Sequence, residues 1–226
     1  MDFTLGETQQ AVAQAAAHVL DRNPPLPTLW KELGQAGLLG LALPAWLGGD
    51  GLGVMDTAVL LTEVGRRAAP VPALATLAMG VLPVVRWGTR ELQQALLEGV
   101  AAGDTILTAA VREPSDPMPA APATTVRNGC ISGVKTGVQY GAAARWILVP
   151  ASLAPGGTGV AVVDPSADGV RLSPTPSSAG GPEHTLHLDD APVAHLLRDD
   201  HAVAGLYQLT LAGAACLADG VLAGVS

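Results

Sequence analysis

The chain has 226 residues, of which 49% are hydrophobic and only 3% aromatic, and its formal net charge is −8. A pI near 4.9, with no basic cluster longer than Arg66-Arg67, argues against nucleic acid as a partner. No uninterrupted apolar stretch reaches about 18 residues, and the N-terminus has no basic, apolar leader, so we expect no membrane span and a cytoplasmic location. Two cysteines without metal-type spacing, Cys130 and Cys216, are predicted to be reduced core residues.

Residues 1–104 have the apolar periodicity and the capping signals of helices. Residues 4–7 have the spacing of a capping box, and an apolar stripe follows them. Asp56 is predicted to cap a third helix, and Thr89 a short last one. The predicted helices are centred on residues 12–20, 29–38, 56–64, 73–87 and 90–97.

The hydrophobic period changes after residue 104, where short strand-like segments alternate with Pro, Gly, Ser and Asp clusters. Asn128-Gly129 is a strong hairpin signal between two of these segments. The pattern predicts a small antiparallel barrel or sandwich over residues 105–198. The predicted strands lie at residues 105–111, 124–126, 130–132, 146–149, 159–163, 170–172 and 184–188.

Residues 199–226 return to a helical pattern rich in alanine and leucine, and the chain stops within this predicted helix. The predicted fold is therefore a multi-domain α and β chain with three parts. These are an N-terminal all-α domain at 1–104, a middle antiparallel β-barrel or sandwich domain at 105–198, and a truncated C-terminal helical domain at 199–226. Because the last helix would then lack the bundle that buries it, we expect the chain alone to self-associate.

Four motifs occur in the order that is typical of one enzyme family. Residues 44–53, PAWLGGDGLG, precede a helix with the step Glu63-Val-Gly-Arg66. The run 129–149 contains a glycine-lysine strand, and residues 163–171 and 188–193 follow it. In these motifs the chain resembles acyl-CoA dehydrogenases, over essentially its whole length.

The resemblance implies FAD as cofactor and an acyl-CoA thioester as substrate. In the family a carboxylate removes the α-proton of the thioester, while the β-hydrogen leaves as hydride to the flavin. The resemblance places flavin contacts at Val111, through its backbone, at Ser115, through its hydroxyl, and at Gly137 and Gln139. Gly137 stands where the family commonly has tryptophan, and Gln139 where it has threonine or serine.

Several nearby residues have two interpretations. Arg112 stands where the family shows a threonine, and the loop 113–116 lacks the family's Gly-Ala-Gly insertion. This loop therefore either keeps part of the flavin site or only preserves the fold. Lys135 is predicted to lie at a barrel edge, with a flavin-site role as the alternative. His184 and His187, three apart in a strand, point to opposite faces, so no shared metal ion is predicted.

The resemblance identifies no catalytic base in this chain. Tyr207 occupies the place of one family glutamate, the second place lies beyond Ser226, and a phenol of pKa about 10 cannot replace a carboxylate base at neutral pH. The first hypothesis is a subunit of a hetero-oligomer whose homologous partner supplies the base and most flavin contacts, as occurs in bacterial steroid degradation. The second is a flavin-free structural or CoA-binding scaffold. The third is an active enzyme whose base lies further along a longer chain.

Overall fold

The computed structural model describes residues 4–22, 24–177 and 181–225. Helices form the first part of the chain, at the positions that the apolar periodicity predicts. A π-helical segment runs directly into α4, so the predicted helix 73–87 is continuous but changes its hydrogen-bond spacing. The elements are α1 (Glu7–Asp21), α2 (Leu26–Gln35), a 3-10 turn (Ala45–Leu47), α3 (Val54–Arg66), the π-helical segment (Leu74–Val81), α4 (Leu82–Trp87) and α5 (Arg90–Leu97).

The first turns of α1 and α3 are joined by side chains. The predicted capping box at 4–7 is wrong, because α1 begins later and the Gly6 N–H donates to the Gln9 side chain at 3.0 Å. Asp56 does not precede α3 but lies in its first turn, where its carboxylate accepts the Gly53 N–H at 3.0 Å. The same carboxylate accepts the Gln9 amide at 2.9 Å. One acidic residue therefore satisfies an open backbone donor and links two helices.

Eight strands form one sheet in the order β6-β7-β3-β2-β4-β5-β8, with β1 paired to β4. The sheet is mostly antiparallel, as predicted, but β1 and β2 both run parallel to β4. Parallel pairing is possible because a long connection separates each of these strands from β4 along the chain. The strands are β1 (Leu107–Ala109), β2 (Thr125–Arg127), β3 (Cys130–Gln139), β4 (Trp146–Leu153), β5 (Thr158–Val163), β6 (Val170–Thr175), β7 (Glu183–Pro192) and β8 (His195–Leu197).

The two faces of the sheet belong to different hydrophobic cores. Along β4, Leu148 packs into the first core, together with the helices and α6 (Ala202–Gly224). Its neighbours Ile147 and Val149 point the other way, into a second core between the strands. The helical part and one sheet face therefore share a single continuous core, which fixes the helices relative to β1, β4 and β5.

Helix α6 lies along α3 at backbone contact. A Cβ added to Gly220 would overlap the backbone oxygen of Thr62, and one added to Gly65 would overlap that of Leu217. Glycine is needed at both positions because only hydrogen fits between the helices. The opposite face of α6 exposes large apolar side chains, such as Leu222 at 69%.

By length and composition alone, α6 is apolar enough to cross a membrane, and it is the one such helix in the described residues. A core helix of a soluble protein passes the same test, and one face of α6 packs against α3 and the π-helical segment. One helix of this kind is weak evidence for a span. The expectation of no membrane span stays a prediction.

Candidate functional site

The segment that follows β1 runs beside the end of β3. The Thr108 hydroxyl donates to the Gln139 carbonyl at 2.7 Å, and the Thr136 N–H donates to the Arg112 carbonyl at 2.9 Å. These bonds place three of the four predicted site residues on adjoining backbone: Val111 on one segment, and Gly137 and Gln139 on the other. The side chain of Val111 is buried, so a ligand would meet this residue through its backbone.

Gly137 lies at an irregularity in β3 and has a left-handed backbone, with φ of +63°. A side chain there would be strained by the backbone alone. The space above it is filled from the neighbouring segment, since a Cβ added to Gly137 would lie 3.4 Å from Arg112 Nη1 and 3.5 Å from its Cδ. The two departures from the family pattern, Gly137 and Arg112, are thus in contact.

Lys135 is not an edge residue, contrary to the prediction. Strand β3 lies inside the sheet between β7 and β2, and the Lys135 side chain is fully buried. Its Nζ donates to the Glu113 carboxylate at 2.8 Å, and that carboxylate is also buried. A buried ammonium is stable only with such a partner, because its transfer from water is otherwise very costly.

The Glu113 carboxylate joins three segments of chain. Besides Lys135, it accepts the backbone N–H groups of Ala123 and Thr124 at 2.8 and 2.9 Å. Burial raises the pKa of Glu113, but the hydrogen bonds from Lys135, Thr124 and Ala123 outweigh burial and lower it to about 2. Burial lowers the pKa of Lys135, and the ion pair with Glu113 opposes that effect. Glu113 is therefore ionised, and its carboxylate holds the loop 113–124 against β3.

Ser115 lies in the loop that follows Arg112 and Glu113. It is exposed within a tight turn, in which the Glu113 N–H donates to the Asp116 carbonyl at 2.8 Å. The Asp116 carboxylate accepts the Met118 N–H at 3.0 Å and so shapes the next part of the loop. A flavin role of the Ser115 hydroxyl stays a prediction.

Tyr207 lies in the first half of α6 and reaches the same loop. Its side chain is buried, and its hydroxyl donates to the Pro119 carbonyl at 3.1 Å. Burial raises the pKa of the phenol, and the negative charges of Glu113 and Asp116 raise it further. Tyr207 is therefore a neutral donor at physiological pH and holds the loop 113–124 against the helix.

A cleft of about 350 Å³ opens next to the end of β3. Gln139, Tyr140 and Glu183 form one wall, and the remaining walls are mostly small and apolar residues of α3, the segment after it, the π-helical segment and α6. Tyr140 also lines a second apolar groove of about 310 Å³, on the side of α2. Its hydroxyl donates to the Pro70 carbonyl at 2.9 Å, so the ring stands between the two spaces.

The histidines and cysteines are spread over α1, the sheet, the start of α6 and α6 itself. His184 is buried while His187 is only partly so, on the other face of β7, in agreement with the expected alternation. Cys130 and Cys216 are both free, as predicted. Both are only half-buried, so the prediction that they are core residues is wrong. Within the described ranges, no group of three or more potential ligands could hold a metal ion.

Two features of the site were missed by sequence reasoning. The Glu113–Lys135 pair was not foreseen, although a lysine inside an apolar strand requires a buried carboxylate nearby. The contact of Arg112 with Gly137 was also missed, because the two residues are distant in sequence. The isolated bridge between Arg112 and Thr136 that brings them together carries no local signal.

Comparison with known proteins gives consistent matches. Residues 6–104 match the family model for the acyl-CoA dehydrogenase N-terminal domain. Acyl-CoA dehydrogenase FadE28 of Mycobacterium tuberculosis is 43% identical over 99% of this chain, and acyl-CoA dehydrogenase FadE27 of the same organism is 34% identical over 73% of it. The chain spans 63% and 44% of the lengths of these two relatives.

Solved structures show the same fold. A variant of the Tcur3481-Tcur3483 steroid ACAD matches with a TM-score of 0.88 and 32% sequence identity. The match covers 98% of this chain and 65% of the chain in that structure. The ChsE4-ChsE5 complex from Mycobacterium tuberculosis has a TM-score of 0.85 and 27% identity, covering 96% of this chain and 64% of its own. The resemblance predicted from the four motifs is confirmed: over nearly its whole length the chain is similar to acyl-CoA dehydrogenases.

Proposed function

We propose that this chain is one subunit of a cytoplasmic, FAD-dependent acyl-CoA dehydrogenase, and that a homologous partner subunit supplies the catalytic base. The observation that carries the proposal is Tyr207 at one base position of the family. Its hydroxyl donates to the Pro119 carbonyl, and its pKa is raised by burial and by nearby negative charge. A neutral phenol with its proton engaged in this way cannot remove a proton from a thioester.

The residues at the end of β3 fit one edge of a flavin ring chemically. The Gln139 amide in the cleft and the Arg112 guanidinium are hydrogen-bond donors, which suits a ring edge rich in acceptor atoms. We assign the Val111 backbone and the Ser115 hydroxyl to the same ring edge. When bound, the flavin would supply the redox chemistry by accepting hydride.

Aromatic cover for the flavin is missing on this strand. Gly137 supplies no ring, and Gln139 replaces a compact hydroxyl. Losing a buried aromatic surface and a placed hydrogen bond weakens binding by about two to four orders of magnitude. We therefore expect the lone chain to hold little FAD and the partner to supply most contacts.

The cleft beside Gln139 supports an acyl-CoA thioester as the substrate. Its walls are mainly apolar, and the polar Gln139 and Glu183 lie at one side, where a thioester would meet the flavin strand. The steroid named with the Tcur3481-Tcur3483 ACAD makes a steroid-derived acyl group one candidate, with a fatty acyl group as the other. The two-protein names of both structural relatives support a homologous partner.

A flavin-free structural or CoA-binding scaffold is the second candidate function. The observation that favours it is Gly137, whose place above the strand is filled by the Arg112 side chain and not by a ring. In that case the fold would be kept for its interface alone. The two functions differ in whether flavin is present in the assembled protein.

The test is co-expression of this chain with a homologous acyl-CoA dehydrogenase that carries the catalytic glutamate. We expect a yellow complex with one FAD per pair of unlike chains, and turnover of an acyl-CoA thioester with an artificial electron acceptor. Activity should be lost when the partner's catalytic glutamate is changed to glutamine. It should survive Tyr207→Phe, because the phenol removes no proton.

Two results would contradict the proposal. A colourless but stable complex would favour the scaffold. Full activity of this chain without a partner, with one FAD per chain, would show that no partner base is needed.

A further inference from the structure

We propose that Arg112 contacts the flavin, taking the space that Gly137 leaves open and placing a positive charge against the ring. The inference rests on the proposed function, since it concerns how this chain meets the cofactor. Arginine stands here in place of the family's threonine, so the contact is a property of this chain and not of the family pattern.

The position of Arg112 is fixed by its backbone. Arg112 and Thr136 pair as neighbouring strands do, and the Thr136 N–H donates to the Arg112 carbonyl at 2.9 Å. The side chain then folds back over β3, with Nη1 3.4 Å and Cζ 3.9 Å from where a Cβ on Gly137 would lie. The left-handed backbone of Gly137 keeps this space free of any side chain from β3 itself.

The charge of Arg112 is free to act on a ligand. The residue is exposed, and no ion pair involves it among the parts of the chain that the structure describes. The adjacent carboxylate, Glu113, is turned inwards to Lys135 at 2.8 Å and also accepts two backbone N–H groups. The guanidinium therefore keeps both its charge and its donors at the surface of the site.

A guanidinium can do two things that a glycine cannot. It is planar and weakly hydrated, so it stacks on aromatic rings and also donates to carbonyl oxygens. Its charge also favours the reduced flavin, which carries more negative charge than the oxidised form. Charge near the ring is one of the protein's means of tuning the cofactor. Arg112 thus replaces the covering role of the tryptophan and adds an electrostatic effect.

The test measures FAD affinity and midpoint potential in the complex of this chain with its homologous partner. Arg112→Leu removes the charge, and Arg112→Lys keeps the charge but loses the planar guanidinium. The control, Arg127→Leu, removes an exposed arginine at the β2–β3 turn. We expect Arg112→Leu to weaken FAD binding about tenfold. Its reduced-to-oxidised affinity ratio should also fall about tenfold, which lowers a two-electron potential by about 30 mV.

The other variants separate charge from shape. Arg112→Lys should keep the potential within about 10 mV of the wild type while losing about threefold in FAD affinity. Arg127→Leu should change neither. Unchanged affinity and potential in Arg112→Leu, or an equal loss in Arg127→Leu, would overturn the inference alone. Absence of FAD binding by the wild-type complex would overturn the inference and the proposed function together.

Discussion

The buried Glu113–Lys135 pair makes the strongest prediction about stability. Changing Lys135 to methionine keeps the volume of the side chain but leaves the Glu113 carboxylate buried without its ammonium. Both side chains are almost completely inaccessible, at 0% and 3% exposure. Removing one partner of a buried pair typically costs about 3–5 kcal/mol. The pKa of Glu113 agrees in sign, since burial raises it and the hydrogen bonds from Lys135, Thr124 and Ala123 together lower it from 4.5 to about 2.

The pH dependence gives an independent check of the sign. A carboxylate with a lowered folded-state pKa stabilises the fold above its unfolded pKa, and that contribution is lost as the pH falls from about 4.5 through about 2. Without Lys135 the pKa of Glu113 rises, so Glu113 becomes protonated at a higher pH in the variant than in the wild type. The stability difference between wild type and Lys135→Met should therefore be largest above pH 5 and shrink towards pH 3.

The assay is urea denaturation followed by tryptophan fluorescence and circular dichroism, from pH 3 to pH 7. The control is the double variant Lys135→Met with Glu113→Gln, in which no buried charge remains. We expect the double variant to be more stable than the sum of its single changes by about 2–3 kcal/mol. A Lys135→Met cost under about 1 kcal/mol that does not vary with pH, together with additive single changes, would refute the reasoning.

Two further changes test the packing of α6. Tyr207→Phe should lower the free energy of unfolding by about 1 kcal/mol, because it removes the hydrogen bond to the Pro119 carbonyl. Urea denaturation measures this change, and no change would show that the bond does not hold the loop. Gly220→Ala should destabilise the fold by about 1–3 kcal/mol or more, because its methyl group overlaps the Thr62 backbone oxygen. The control is Gly156→Ala, where nothing lies within 4 Å and the change in stability should stay within about 0.5 kcal/mol. Thermal denaturation compares the two variants. Equal effects at the two glycines would contradict the close contact of α3 and α6.

Local signals in the sequence predicted much of the fold. Thr89 caps α5, and its hydroxyl accepts the Leu92 N–H at 3.3 Å, as its position predicts. Asn128 and Gly129 have φ of +51° and +82°, which is the geometry expected of an Asn-Gly hairpin. In both cases the residue type determines the conformation within a few residues, so no distant contact is needed.

The parts that failed depend on distant contacts. Lys135 was misplaced because its burial depends on Glu113, 22 residues earlier in the chain. The parallel pairing of β1 with β4 cannot be found from hydrophobic alternation, which is the same in either direction. The contact of Arg112 with Gly137 depends on the bridge between Arg112 and Thr136, which is equally absent from local signals.

The two glycines between α3 and α6 differ from other contact residues in one respect: a second substitution elsewhere cannot compensate for a change at either of them. The obstacle facing Gly65 is the backbone oxygen of Leu217, and the obstacle facing Gly220 is that of Thr62. No substitution elsewhere removes a carbonyl, so a change at either glycine has no compensating partner. Gly137 differs, because the Arg112 side chain lies at ordinary contact distance from a Cβ there and the strain comes from the left-handed backbone. Related sequences should therefore keep the first two glycines, and replace Gly137 only where the backbone of β3 has left the left-handed region.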